Sequence, residues 1–149
     1  MKNGSKLVAT FGTSKARQGD GVFELAEDLG TELARAGYTV INGGYDGIMT
    51  AAAKGAAQAG GKSIGITCRA FKSAIVNEFI TEEISTERLE DRLAELIKRA
   101  DAYCVLPGGT GTLLELAEIW ELRNKGFLPT EKPIVLLGDF WQPVVDLMR

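Results

Sequence analysis

The residues of this chain that are best suited to chemistry lie in one short segment, PGGTGTLLE, at 107–115. It joins the apolar run AYCVL to a helical pattern that begins at Leu113. A helix N-terminus offers unpaired N–H groups and a positive dipole end, which favour a phosphate. Glycines allow close backbone approach and threonines add hydroxyl donors. The candidate binding residues here are Pro107, Gly108, Gly109, Thr110, Gly111 and Thr112.

Glu115 ends this segment and is predicted near the start of the helix. One interpretation is a favourable helix-dipole interaction, which is worth less than about 1 kcal/mol. If a phosphate binds here, a carboxylate beside it would repel it. Its presence is favourable only if a reaction gains from the negative charge. Cleavage of a glycosidic bond does gain, because a carboxylate stabilises an oxocarbenium-like sugar carbon and orients water.

Two more loops are rich in glycine and hydroxyl groups, FGTSKAR at 11–17 and NGGYDGIM at 42–49. In a doubly wound sheet of strand order 3-2-1-4-5, they meet the 107–112 loop where the order reverses, beyond the carboxyl ends of the strands. A single such loop is most simply a tight turn, but three converging loops favour a phosphate-bearing ligand. Their candidate residues are Gly12, Thr13, Ser14, Gly43, Gly44, Gly47 and Met49.

Arg88 and Arg92 are four residues apart in STERLEDRLAELIKRA, residues 85–100, and therefore share one helical face. Both flank the apolar stripe of this predicted helix. They either form solvated pairs with neighbouring glutamates or bind an anion. For Arg88 the pattern leaves these two readings equally open.

The elements that must position these residues alternate along the chain. Five apolar, β-branched runs are separated by helical patterns, which predicts an α/β Rossmann-like fold: a doubly wound parallel sheet of about five strands with helices on both faces. The chain is expected to form a single domain, 1–149. Residues 69–85 are predicted to form a loop over the site, with a short extended piece. The short last helix is either truncated or covered by a partner. The predicted strands are 6–11, 38–42, 63–68, 102–106 and 133–137.

Composition excludes several classes of function. The 149 residues carry a net charge of −3 with no basic tract, so no nucleic-acid partner is expected, and no apolar run is long enough to cross a membrane. A cytoplasmic protein is expected. The chain has no histidine, which removes histidine-based catalysis and most zinc sites, and Cys68 and Cys104 are predicted to be buried thiols. The sequence has neither the glycine spacing of a dinucleotide-binding fingerprint nor that of a P-loop.

Across essentially the whole chain, the sequence resembles the LOG ("lonely guy") family, nucleoside 5′-monophosphate phosphoribohydrolases that activate cytokinins and are often labelled possible lysine decarboxylases. PGGTGTLLE is close to the family's P-G-G-x-G-T-x-x-E, and GGYDGIM (43–49) is similar to its G-G-G-x-x-G-x-M. The resemblance implies that Glu115 and Arg92 are the catalytic residues and that the glycine loops bind phosphate. Here Tyr45 replaces the third glycine, and Leu89 and Leu93 replace the methionine and the lysine of the family's M-x-x-R-K.

The resemblance implies hydrolysis of a nucleoside 5′-monophosphate, AMP or an N6-modified AMP, to a free base and ribose 5-phosphate. It implies no cofactor or metal, and a homodimer whose sites draw on both subunits. An alternative is a non-catalytic nucleotide or cofactor carrier, similar to molybdenum-cofactor carrier proteins. A DNA-processing scaffold would require a basic face, which this composition does not offer. A decarboxylase would require a lysine placed to hold pyridoxal phosphate, and no lysine in the three loops has a pattern that marks it for this role.

Overall fold

A computed structural model describes residues 4–149, so Met1–Asn3 of the predicted domain lie outside the described residues. The strands are β1 (Leu7–Phe11), β2 (Thr39–Asn42), β3 (Ser63–Cys68), β4 (Glu82–Thr86), β5 (Ala102–Val105) and β6 (Ile134–Leu136). The helices are α1 (Gly21–Arg35), α2 (Ile48–Gln58), α3 (Leu89–Arg99), α4 (Thr110–Asn124) and α5 (Gln142–Met148). No helix in residues 4–149 combines the length and the apolar character needed to span a membrane.

The strands form one parallel sheet of order β4-β3-β2-β1-β5-β6. The predicted fold class is confirmed, and the five predicted strands have the expected relative order. The prediction of about five strands missed β4, most of which lies in the segment, residues 69–85, that is predicted mainly as a loop. The reason is physical: β4 is an edge strand whose sequence, EEIST, has Ile84 as its one apolar side chain, so it lacks the apolar run of a buried strand.

Helices cover both faces of the sheet. On one face α3, α4 and α5 pack around a core that contains Phe11, Ile66 and Tyr103. On the other face α1 and α2 enclose smaller clusters around Phe23 and Val40. Trp141 ties α5 to the sheet, because its indole Nε1 donates to the carbonyl of Leu106 at 2.9 Å. Both cysteines are buried free thiols, as predicted.

α1 and α2 lie so close that their backbones touch at two glycines. A side chain at Gly30 would collide with the carbonyl oxygen of Ala52, and one at Gly55 with the carbonyl oxygen of Glu27. Because the obstacle is backbone in both cases, a methyl group can be accommodated only by separating the helices.

Gly55→Ala is therefore expected to lower the free energy of unfolding by about 3 kcal/mol, the usual range for overpacking being roughly 1–3 kcal/mol or more. Urea denaturation followed by circular dichroism measures this loss. Gly21→Ala is the matched control, since nothing lies within 4 Å of its added methyl group. A loss of equal size in both variants would contradict the packing argument.

Candidate nucleotide site

Three loops meet at the carboxyl edge of the sheet, and the backbone of Thr13 joins them. The Thr13 amide donates to the carbonyl of Pro107 at 3.0 Å, and the Thr13 carbonyl accepts from the amide of Ile48 at 3.0 Å. These bonds connect the loops that follow β1, β5 and β2. The neighbours β1 and β5 flank the point where the strand order reverses, which is where open α/β sheets bind ligands.

Asn42, at the end of β2, shapes the glycine loop at 43–47. Its buried side-chain amide donates to the Met49 carbonyl at 3.2 Å, and its Oδ1 accepts from the Gly44 amide at 2.9 Å. Gly47 has a φ of +67°, and a side chain there would collide with the backbone at Thr13. Because residue 47 has no side chain, the glycine loop can approach the backbone of Thr13 closely.

Two glycines at the N-terminus of α4 border open space instead of other protein atoms. The helix begins at Thr110, three residues earlier than predicted, and its N-cap residue Gly109 makes no side-chain capping bond. An added side chain at Gly109 or Gly111 would meet nothing within 4 Å, whereas one at Gly108 would collide with the Thr112 hydroxyl. Gly109 and Gly111 thus keep free the space above uncapped N–H groups, an arrangement suited to an anion.

A cavity of about 510 Å³ lies between these loops and α3. It brings together most of the residues that the sequence singled out, which are Gly12, Thr13, Ser14, Gly43, Met49, Arg92, Gly109, Thr110, Gly111, Thr112 and Glu115. Gly44, Gly47, Pro107 and Gly108 belong to the same loops but do not line the cavity. Nowhere in residues 4–149 do three or more metal-ligating side chains form a group that would hold a metal ion.

Arg88 lies away from this cavity. Its side chain is largely exposed and pairs with Asp91, with Nε and Oδ2 3.2 Å apart. The carboxylates of Asp91 and Glu90 raise the pKa of Arg88. Of the two sequence readings, the geometry matches the solvated pair, and a role for Arg88 in ligand binding stays a prediction.

Glu115 is half-buried in the wall of the cavity, in the second turn of α4. Removal of its carboxyl group from water raises the pKa of Glu115 to about 7, although the positive charge of Arg92 acts in the opposite direction. A carboxyl group with this pKa exchanges a proton near neutral pH, which is a property of general acid–base groups.

Arg92 reaches the cavity from the first turns of α3. Its Nε donates to the carbonyl of Ile66 at 2.9 Å, and its Nη2 donates to the carbonyl of Gly43 at 3.0 Å. A side chain on Gly43 would collide with the guanidinium, so Gly43 provides the space that Arg92 occupies. Burial lowers the pKa of Arg92, and the charge of Glu115 partly opposes this shift.

Several lining residues were missed by sequence reasoning. Tyr45 and Phe71 flank Arg92, while Lys15 and Asp46 add one charge of each sign to the cavity wall. Tyr45 interrupts the GGYDG run, a departure that marked its position. Phe71 lies in the irregular connection after β3, where no periodicity or motif indicates a role.

The parallel sheet, the crevice at its switch point and the open, glycine-rich start of α4 define a Rossmann-like α/β protein. More particularly, the chain belongs to the SLOG cluster4 family, whose model matches residues 5–145. The predicted resemblance to LOG proteins is thereby confirmed.

Several relatives carry the name cytokinin riboside 5′-monophosphate phosphoribohydrolase. The protein from Mycobacterium tuberculosis is 35% identical over 123 residues, which cover 80% of this chain and 64% of that protein. The protein from Rhodococcoides fascians is 29% identical, with 97% of this chain and 74% of that protein covered. The chain thus spans less than two thirds of the length of the mycobacterial relative.

The molybdenum cofactor binding protein from Rippkaea orientalis has a similar solved structure. Its TM-score is 0.79 at 24% identity, and the match covers 99% of this chain and 86% of that one. This likeness shows a shared fold.

The raised pKa of Glu115 predicts how stability depends on pH. The unfolded glutamate loses its proton near pH 4.3, whereas the folded one keeps it until about pH 7, so stability should fall as the pH rises between these values. Glu115→Gln removes this cost and should be more stable than the wild type by about 3 kcal/mol at pH 8.

Thermal and urea unfolding at pH 4 and pH 8 would measure the difference, which should nearly vanish at pH 4. Glu121→Gln, an exposed change on the same helix, is the matched control. A Glu115→Gln variant that is no more stable than the wild type at pH 8 would contradict burial as the cause of the shift.

Proposed function

We propose that this protein hydrolyses the N-glycosidic bond of a nucleoside 5′-monophosphate, AMP or an N6-modified AMP, and releases the free base and ribose 5-phosphate. One observation carries the proposal: a carboxylate, a guanidinium and the uncapped start of a helix share a single cavity. The names of the relatives support the same reaction.

In this proposal the 5′-phosphate binds at the N-terminus of α4. The N–H groups around Thr110 and Gly111 donate to phosphate oxygens, and the positive end of the helix dipole favours the charge. Thr110 and Thr112 have hydroxyl groups at the same place, and the Lys15 side chain adds a cation to the cavity wall. Binding of the phosphate here fixes the ribose toward Glu115.

Glu115 acts as its carboxylate. The bond between C1′ and the base nitrogen breaks, its electron pair leaves with the base, and the ribosyl group becomes oxocarbenium-like. The carboxylate stabilises this cation and orients a water, whose oxygen forms the new bond to C1′ and whose proton passes to Glu115. Arg92 stabilises negative charge on the phosphate or the departing base. The base gains its proton through water, because a guanidinium holds its proton too strongly to serve as a general acid.

Glu115→Gln is expected to lower kcat by about 10²–10⁴-fold, since the amide cannot ionise. Purified protein is incubated with AMP and with N6-isopentenyl-AMP, and base and ribose 5-phosphate are followed by chromatography. In the wild type, kcat/KM should rise with pH through about 7, as Glu115 ionises. Glu121→Gln should match the wild type.

The contrary result is equally clear. If the wild type releases no base from any nucleoside monophosphate and bound nucleotide is recovered intact, the hydrolase proposal fails. A nucleotide carrier would then be the remaining reading.

We also propose a homodimer formed through the groove between α3 and α4. This groove, of about 620 Å³, is lined by leucines of both helices, and Phe127 at its edge is 76% exposed. Glu90 and Lys98 line it about 12 Å apart along α3. Antiparallel pairing with a second copy would set each Glu90 opposite the partner's Lys98, as a self-complementary twofold interface requires.

Three leucines connect the groove to the cavity. Leu89, Leu93 and Leu114 line both spaces. A second copy seated in the groove would therefore lie at the mouth of the cavity, which supports a site built from two subunits.

Lys98→Glu and Phe127→Asp should each shift the protein toward the monomer in sedimentation velocity experiments. Adding Glu90→Lys to Lys98→Glu should restore the dimer, because the opposite charges are exchanged. Phe140→Asp is the control, as Phe140 is an exposed aromatic residue outside the groove. A wild-type monomer at micromolar concentration would reject this interface.

A further inference from the structure

The guanidinium of Arg92 lies against two aromatic rings. Its central carbon is 5.2 Å from the centre of the Tyr45 ring and 5.4 Å from the centre of the Phe71 ring. The two rings contact each other edge to face, with centres 5.7 Å apart and planes at 70°. Both distances from the guanidinium carbon to a ring centre lie within the range in which the face of an aromatic ring attracts a cation.

Tyr45 is fixed in this position by its hydroxyl group. The hydroxyl accepts from the backbone amide of Cys68 at 2.9 Å and donates to the Cys68 carbonyl at 3.1 Å. The Tyr45 side chain is 8% exposed. Two hydrogen bonds to the last residue of β3 therefore attach the ring to the rigid sheet.

Phe71 comes from the connection between β3 and β4, and Asn77 ties that connection to the glycine loop. The Asn77 side-chain nitrogen donates to the carbonyls of Gly44 at 3.2 Å and Tyr45 at 2.9 Å, and its backbone amide donates to the Gly44 carbonyl at 2.9 Å. The second ring thus lies on a segment that is tied to the loop carrying the first.

The rings hold the charge of Arg92 without neutralising it. In the described part of the chain, no carboxylate lies within ion-pair distance of Arg92, and its Nη1 makes no hydrogen bond. Nε and Nη2 of Arg92 donate to the carbonyls of Ile66 and Gly43. The two rings attract the cation although neither carries a negative charge. An incoming anion would not have to displace a salt bridge.

We propose that Tyr45 and Phe71 are positioning residues that clamp the Arg92 guanidinium beside Glu115 and keep its Nη1 group available to the substrate. The catalytic consequence rests on the proposed hydrolase function, whereas the clamp itself does not. Tyr45→Leu removes the ring and its anchor, and should lower kcat/KM for a nucleoside monophosphate about 10–100-fold. Tyr45→Phe keeps the ring face but loses the hydroxyl anchor, so its kcat/KM should lie between those of Tyr45→Leu and the wild type.

A readout without turnover tests the clamp directly. In ¹⁵N-labelled protein, the Nε–H resonance of Arg92 is identified by its absence from Arg92→Lys. It should be shifted by ring currents and protected from exchange in the wild type and in Tyr45→Phe. In Tyr45→Leu and Phe71→Leu it should move toward the position of a free arginine or vanish. Tyr38→Leu, a change to an exposed tyrosine, is the matched control.

Chemical rescue gives a second readout that a purely structural role would not move. Added guanidinium should restore part of the activity of Arg92→Ala, because the two rings and the two carbonyls remain to bind it. Rescue should be much weaker in the Arg92→Ala/Tyr45→Leu double variant.

The outcomes separate the two proposals. An Arg92 resonance that is unchanged in both Tyr45→Leu and Phe71→Leu would overturn the clamp, whether or not base is released. A resonance that responds as expected in a protein that releases no base would support the clamp and reject the hydrolase. Because Phe71 is 38% exposed, its variant keeps the test decisive if Tyr45→Leu fails to fold.

Discussion

The crevice depends on the peptide units of a single residue, Thr13, whose amide and carbonyl join the loops after three strands. The loops after β2 and β5 are rich in glycine, which loses more conformational freedom on ordering than other residues, so these loops would be flexible alone. Bonding through Thr13 restrains all three together. The close contact also explains why residue 47 is glycine, because a side chain there would separate the loops.

The glycines of this site serve two different purposes. Gly47 and Gly108 leave room for neighbouring protein atoms, and Gly43 leaves room for the guanidinium of Arg92. Gly109 and Gly111 border open space above the uncapped start of α4. The open positions are the ones where the backbone is accessible to an anion, while the filled positions determine the shape of the loops around it.

Burial affects the pKa values of two charged groups of the cavity, Glu115 and Arg92, more than their mutual attraction does. Glu115 and Arg92 influence each other's pKa, yet they form no ion pair within the described residues. Carbonyl groups and aromatic rings support the guanidinium, and a partly dry environment raises the pKa of the carboxyl group to about 7. Charged groups that are poorly solvated and have no ion-pair partner are costly for the fold, as is common where side chains are arranged for a ligand.

Sequence alone determined the α/β class and the loops that follow the apolar strands, because these follow from periodicity and from the geometry of parallel sheets. The relative order of the five strands was assumed from the doubly wound fold, and the structure confirms it. The sequence also marked Glu115 and Arg92 through motifs. The tertiary structure decided the rest. β4 was missed because an edge strand needs few apolar residues, and Phe71 because its role depends on where an irregular connection folds. Tyr45 holds Arg92 only once β3, α3 and the glycine loop are assembled, since no local pattern encodes a contact between residues 47 positions apart in the chain.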